Sequence, residues 1–232
     1  MHNGQLKSGY NLQIGVISEY IASYKIFSNP ADTKTLFPFL EKIKSQNIEV
    51  KNVVADAGYE SLSNYEYLKI NNYVSYIKPI YYEKSKTRKY QKNLNRVKNL
   101  EYDEKENRLF RKDGLELEFQ YYGEDGKTIY FKNLETEKII KYNNEFRRLS
   151  KKSKDSIESD LGKQLRMNRS IQVEGTFAVL KEDMKLHKLK VREKNSTKRE
   201  IGLFCIAYNF NKYITKLSRK KQGVVLHPLK TT

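Results

Sequence analysis

The chain has 232 residues, enough for one large domain or two small ones with a real core. It carries 45 Lys and Arg against 28 Asp and Glu, a formal net charge of +17, so the expected partner is a polyanion, with nucleic acid the commonest. No apolar run approaches the roughly 20 residues that span a bilayer, and the single cysteine excludes an internal disulfide and a Cys-based zinc cluster.

The apolar fraction of 38%, with 18 Tyr and 10 Phe, reads as a folded and very polar protein. Cys205 lies in the run IGLFCIAY and reads as a small core residue. His2, His187 and His227 are scattered, which supports neither a Cys–His nucleophile nor a His-rich metal site. A reducing, cytoplasmic setting fits this cysteine usage.

In chain order, YNLQIGVI (10–17) and YIASYKIFS (20–28) predict an antiparallel hairpin. SNPADTKTLFPFLEKIKSQN predicts a helix capped by Asp32 or Thr33, with Leu36, Phe39, Leu40 and Ile43 on one face. Pro38 falls near its first turn, where proline is tolerated. IEVKNVVADAGY predicts a strand ending at Asp56, SLSNYEYLKINN a short helix, and YVSYIKPI (73–80) a further strand.

The middle changes character. Residues 84–98 contain Lys84, Lys86, Arg88, Lys89, Lys92, Arg96 and Lys98 and no acidic residue. Asp113-Gly114 and Asp125-Gly126 then punctuate strand-like runs, which predicts a small antiparallel meander. Tyr81, Tyr82, Tyr90, Tyr121 and Tyr122 could stack unpaired bases, or simply be amphipathic strand residues. Residues 146–165 read as polar and partly mobile.

The last third is helical. Val173, Phe177, Leu180 and Met184 form one apolar stripe, and Leu203, Ala207, Phe210, Ile214 and Leu217 form another. SRKKQGVVLHPLKTT reads as a loose basic tail.

Two carboxylates stand out. Asp56 is either a helix cap or a metal ligand at a strand end. At about 100° per residue, Glu174 lies roughly 60° from Phe177, on the edge of the apolar face. Lys181, seven residues on, returns near the same azimuth, although an ordinary surface pairing has the same spacing. Gly175 and Ala178 keep the adjoining surface small. Two carboxylates distant in sequence are what a magnesium phosphoryl-transfer site uses, since Mg²⁺ takes few protein ligands and completes its shell with water and phosphate oxygens.

The segments GQLKSGYNLQIGVI, DTKTLFPFLEKI, VVADAGYESLSNYEYL, NRSIQVEGTFAVLKEDM and REIGLFCIAYNFNKY together resemble a bacterial insertion-sequence transposase of the DDE type. The resemblance implies an α/β, RNase H-like mixed sheet flanked by helices. In that fold the hairpin would supply the second and third strands, Asp56 would end the fourth, and 73–80 would be the fifth. It further implies a catalytic core at 1–80 and 166–217, an insertion with an antiparallel β unit at 81–165, and a basic tail at 218–232. By position, Asp56 matches the second catalytic Asp and Glu174 the catalytic Glu. Both would bind Mg²⁺ or Mn²⁺. Lys181 matches a signature lysine and would contact DNA. Arg169 lies one residue from the signature arginine, so Lys181 is the stronger candidate. Lys84, Lys86, Arg88, Lys89 and Lys92 would lie along DNA.

The resemblance departs at the front, because no acidic residue precedes Glu19. Asp32 lies at a helix start and is no substitute. The expectation is a C-terminal fragment without the first catalytic strand, open along that seam. Three readings follow. The chain is part of a metal-dependent DNA-cleaving and strand-transferring enzyme, inactive alone. Or it binds DNA, or pairs with full-length transposase and inhibits it. Or it is a decayed reading frame. The implied partners are transposon-end and target DNA and a homo-oligomer or full-length transposase, with no membrane, in the bacterial cytoplasm near the nucleoid.

Overall fold

The computed structural model describes residues 9–220. The basic tail from residue 221 on, and the start of the first matching segment, lie outside the described residues. The chain opens with an antiparallel hairpin, β1 (Asn11–Ile17) and β2 (Tyr20–Phe27), joined at Ser18 and Glu19. Both turn residues have positive φ, 50° and 74°, as a two-residue hairpin of primed type requires.

Helix α1 (Leu36–Ser45) buries Leu36, Phe39, Leu40 and Ile43, the four residues of the predicted face. Each such burial contributes roughly 1.5–3 kcal/mol relative to exposure. The predicted caps are corrected. Asp32 and Thr33 lie in a 3₁₀ turn before the helix, Thr35 holds the cap position, and no side chain bonds there. The Asp32 carboxylate is drawn away by amide donors on β1.

Strand β3 (Asn52–Ala55) pairs in parallel with β4 (Val74–Ile77), and α2 (Leu62–Ile70), capped by Ser61, connects them. Short α3 (Arg88–Lys92) follows. Strands β5 (Leu100–Asp103), β6 (Arg108–Arg111), β7 (Glu116–Tyr122), β8 (Ile129–Lys132) and β9 (Ile139–Tyr142) form an antiparallel sheet in sequential order, the meander expected from its turn dipeptides. Gly114 and Gly126 have φ of 88° and 61°, the conformation that makes Asp-Gly a turn signal. Leu109, Leu117 and Phe131 are buried in this sheet's own core.

Residues 146–165, expected to be polar and partly mobile, are helical except at Ser159. They belong to α4 (Asn144–Glu158) and α5 (Asp160–Arg169). Leu149, Ser153 and Ile157 form a narrow buried stripe that packs α4 on β4 and α2. Polar residues on every other side hide that stripe in the sequence. The glutamate segment runs on from α5 through a π-turn (Ser170–Glu174), α6 (Gly175–Ala178) and a second π-turn (Val179–Asp183). Of its predicted stripe only Leu180 is fully buried, and Thr176 is buried beside it.

Helix α7 (Lys194–Ser218) lies on β2. Its buried residues are Ile201, Gly202, Cys205, Tyr208 and Lys216 with Thr197, while the predicted stripe of Leu203, Ala207, Phe210, Ile214 and Leu217 faces outward. The helix is apolar on two sides, so periodicity alone could not choose the inner one. Cys205 is buried, as expected of a core thiol.

The mixed sheet, expected to lack its first strand and to be open along that seam, is divided. Among the described residues β1 pairs only with β2, and β3 only with β4. The outer edges are closed by helix side chains. Asn209 of α7 both donates to and accepts from the backbone of Ile21, and Ser153 of α4 does the same at Ile77. The inner edges of β1 and β3 face each other across a groove of about 2390 Å³. Phe39 and Ile43 of α1 line one wall of it, and Phe177 and Leu180 the other.

Candidate active site

Asp56 follows the last residue of β3 and leads into a 3₁₀ turn (Ala57–Tyr59). It sits at the N-cap position, yet its carboxylate makes no cap hydrogen bond. The capping role is therefore absent, and the carboxylate projects into the mouth of the groove. Gly58 does not have positive φ. A Cβ there would lie 3.2 Å from the Asp32 carboxylate, so its smallness admits that close approach.

A polar network staples this end of the groove. The Tyr59 hydroxyl donates to Gln13 Oε1, and Gln13 Nε2 donates to Asn11 Oδ1 at 2.7 Å and to Asp32 Oδ1 at 3.2 Å. Asn11 Nδ2 donates to the same Asp32 oxygen at 2.7 Å. Burial first, then the charges of Asp32 and Asp56, push the Tyr59 phenol up to about 12, which keeps it a donor near neutral pH. The two ladders share no backbone bond, yet side chains tie the start of β1 to the segment after Asp56.

Arg169 joins the two candidate carboxylates. Its Nη2 lies 2.5 Å from Asp56 Oδ2, and its Nη1 3.7 Å from Glu174 Oε1. The guanidinium side chain is 19% exposed, whereas the carboxylates are 60% and 66% exposed. The carboxylates thus remain open to solvent around a largely enclosed cation. The π-turn explains the geometry. An i→i+5 turn stacks residues five apart, and Arg169 and Glu174 are five apart. On an ordinary α-helix they would diverge, so α-helical periodicity does not bring Arg169 and Glu174 together.

Lys181 is exposed, lines the same groove, and its ammonium lies 5.6 Å from the Phe177 ring centroid. Lys84, Lys86, Arg88, Lys89 and Lys92 are all exposed. Tyr82 links this basic segment to the site helix. It is buried, with Lys86 at 4.1 Å and Arg166 of α5 at 5.3 Å from its ring, so it is a cation-clasped anchor rather than a base-stacking surface. Tyr81, Tyr121 and Tyr122 are exposed, and Tyr121 stacks on Tyr130 at 4.7 Å.

Sequence reasoning missed Glu60. It is buried and accepts from the Ile80 amide at 2.7 Å, the Ser150 hydroxyl at 2.7 Å and the Tyr65 hydroxyl at 3.2 Å. Three donors satisfy it fully, which makes it a structural tie between α2, α4 and the chain after β4. Among the described residues no group of three or more His, Cys, Asp or Glu side chains is arranged to hold a metal. None of their helices is long and apolar enough to cross a membrane.

Comparison with curated proteins and with solved structures gave no match. A family model, described as the transposase DDE domain, matches residues 1–210. That match covers most of the chain, which therefore belongs to the transposase DDE domain family.

Proposed function

We propose that the chain forms the catalytic part of a transposase, which cuts DNA by attack of water and joins it by attack of a 3′-hydroxyl. The observation that supports this most is one guanidinium meeting two carboxylates that belong to different elements, Asp56 and Glu174. Their hard, solvent-open oxygens fit a divalent ion, Mg²⁺ or Mn²⁺, which takes one or two carboxylates and fills its shell with water and phosphate. Such an ion, when bound, supplies charge stabilisation to the phosphate undergoing displacement and acidifies water. Arg169 offsets the mutual repulsion of the carboxylates and presents a planar donor fork suited to phosphate. Lys181 contacts phosphate from the same groove, and Lys84, Lys86, Arg88, Lys89 and Lys92 lie along the duplex.

The groove bears on whether these residues act alone. Asn11 and Gln13, at the start of β1, lie beside the segment that follows β3, so the two strands run in opposite directions. A strand between them, antiparallel to β1 and parallel to β3, would complete an RNase H-like sheet and bring its C-terminal end, with a further carboxylate, beside Asp56. Among the described residues no strand lies in that space, and in this arrangement the chain binds DNA without cutting it. The same open groove favours a second reading, in which the chain pairs with a full-length transposase and inhibits it.

Labelled transposon-end DNA, incubated with the 232-residue chain with and without Mg²⁺, tests the proposal. Salt-sensitive binding without cleavage is expected. Cleavage that vanishes in Asp56→Ala would overturn the inactivity and retain the catalytic assignment. Absence of binding at low salt would overturn the proposed DNA-binding role.

A further inference from the structure

Helix α7 is apolar on two opposite faces. The inner face, around Ile201, Cys205 and Tyr208, packs on the hairpin. On the outer face Leu203, Ile206, Phe210, Tyr213, Ile214 and Leu217 are each 45% to 68% exposed. At about 100° per residue these six, with Ala207, fall within roughly 60° of Phe210. They leave on the order of 600 Å² of contiguous apolar surface, the upper end of what a monomer usually shows.

The stripe is symmetrical about Phe210. Leu203 and Leu217 stand seven residues to either side, Ile206 and Ile214 four, Ala207 and Tyr213 three. Leucine faces leucine, isoleucine faces isoleucine, and a small residue faces a large one. A two-fold axis through Phe210 would superpose this pattern on itself with the helices antiparallel, which is what an isologous contact requires. A partner of different sequence has no need of that symmetry.

We infer that α7 pairs with α7 of a second copy of this chain, antiparallel, with Phe210 on the two-fold axis. Two copies would bury roughly 1,200 Å², within the range of specific interfaces. No charged side chain lies on the stripe, so pairing buries no ion. The opposing term is repulsion between two chains of +17 each, which salt screens over about 10 Å at 0.1 M. Dimerisation should therefore strengthen with salt, whereas association bridged by DNA weakens. The inference does not depend on the transposase reading.

Sedimentation equilibrium of the nuclease-treated full chain in about 0.5 M NaCl tests it. A mass twice 27.5 kDa is expected for the wild type. Phe210→Glu should give the monomer mass with the circular-dichroism spectrum of the folded chain retained, because Phe210 is 64% exposed, and with a midpoint that no longer depends on protein concentration. Cysteine cross-linking tests the register: Phe210→Cys should link to itself, and Leu203→Cys to Leu217→Cys but not to another Leu203→Cys. A wild-type monomer at about 100 µM, far above useful dimer affinities, would overturn the inference, as it would if residues 221–232 covered the stripe. A dimer that survives Phe210→Glu, or preferential 203–203 linkage, would overturn it as well.

Discussion

Arg169, the last residue of α5, holds Asp56 at the end of β3 across 113 positions of sequence, at 2.5 Å. The contact matters because the same guanidinium also faces Glu174. A cation seated between two candidate ligand carboxylates would compete with a metal ion for them. Exposed ion pairs contribute only about 0.2–1 kcal/mol each, so the competition is modest. Arg169→Ala should raise Mn²⁺ affinity by a factor of a few, read by electron paramagnetic resonance titration. Weaker Mn²⁺ binding in that variant would show that Arg169 organises the carboxylates rather than competing for them.

Replacing Lys84, Arg88, Lys89 and Lys92 by Gln should weaken DNA binding at every sequence alike. Each lost phosphate contact lowers the slope of log K against log salt by about 0.9. A fluorescence-anisotropy salt titration measures the slope. An unchanged slope would remove these residues from the DNA path.

Gly162 sits where α5 turns off α4, and a Cβ there would lie 1.9 Å from the Ser156 carbonyl oxygen and 2.8 Å from Ile157 Cα. The clash is with backbone, which cannot move aside cheaply. Gly162→Ala should cost about 1–3 kcal/mol, the usual range for overpacking, in urea unfolding. It should also weaken Mn²⁺ binding, because α5 carries Arg169 and leads into the Glu174 turn.

Glu19 gives a pH signature. Burial raises its carboxyl, but hydrogen bonds from Lys216 and Lys212 outweigh that and leave it below the ordinary 4.5. A depressed carboxyl contributes stability above its unfolded value and loses it as pH falls through the folded one. Glu19→Gln should therefore destabilise by roughly 1–3 kcal/mol at neutral pH, the range for charge-assisted hydrogen bonds. The difference from wild type should shrink as the pH falls below 4.5. A difference that persists in acid would assign the effect to packing.

The sequence made some elements plain for identifiable reasons. The hairpin, α1 and the Asp-Gly meander follow from alternation, a four-residue apolar face and residues that accept positive φ. Helix α4 was hidden because only Leu149, Ser153 and Ile157 are fully buried and one of them is polar. The role of Arg169 was hidden because a π-turn, not an α-turn, sets its azimuth relative to Glu174. Asp56 and Glu174 were legible as types at a strand end and a stripe edge. Their meeting across one guanidinium required the tertiary structure. The split between the β1–β2 and β3–β4 ladders has no signature in local pattern; an opening along a seam was expected only from the family resemblance.

The proposed function requires Asp56 and Glu174 to act as one metal-binding pair in the groove. Titration of the full chain with Mn²⁺, followed by electron paramagnetic resonance, tests it directly in wild type, Asp56→Ala and Glu174→Ala. One site is expected in the wild type, and either substitution should weaken it at least tenfold, about 1.4 kcal/mol. Wild-type affinity retained in both variants would contradict it.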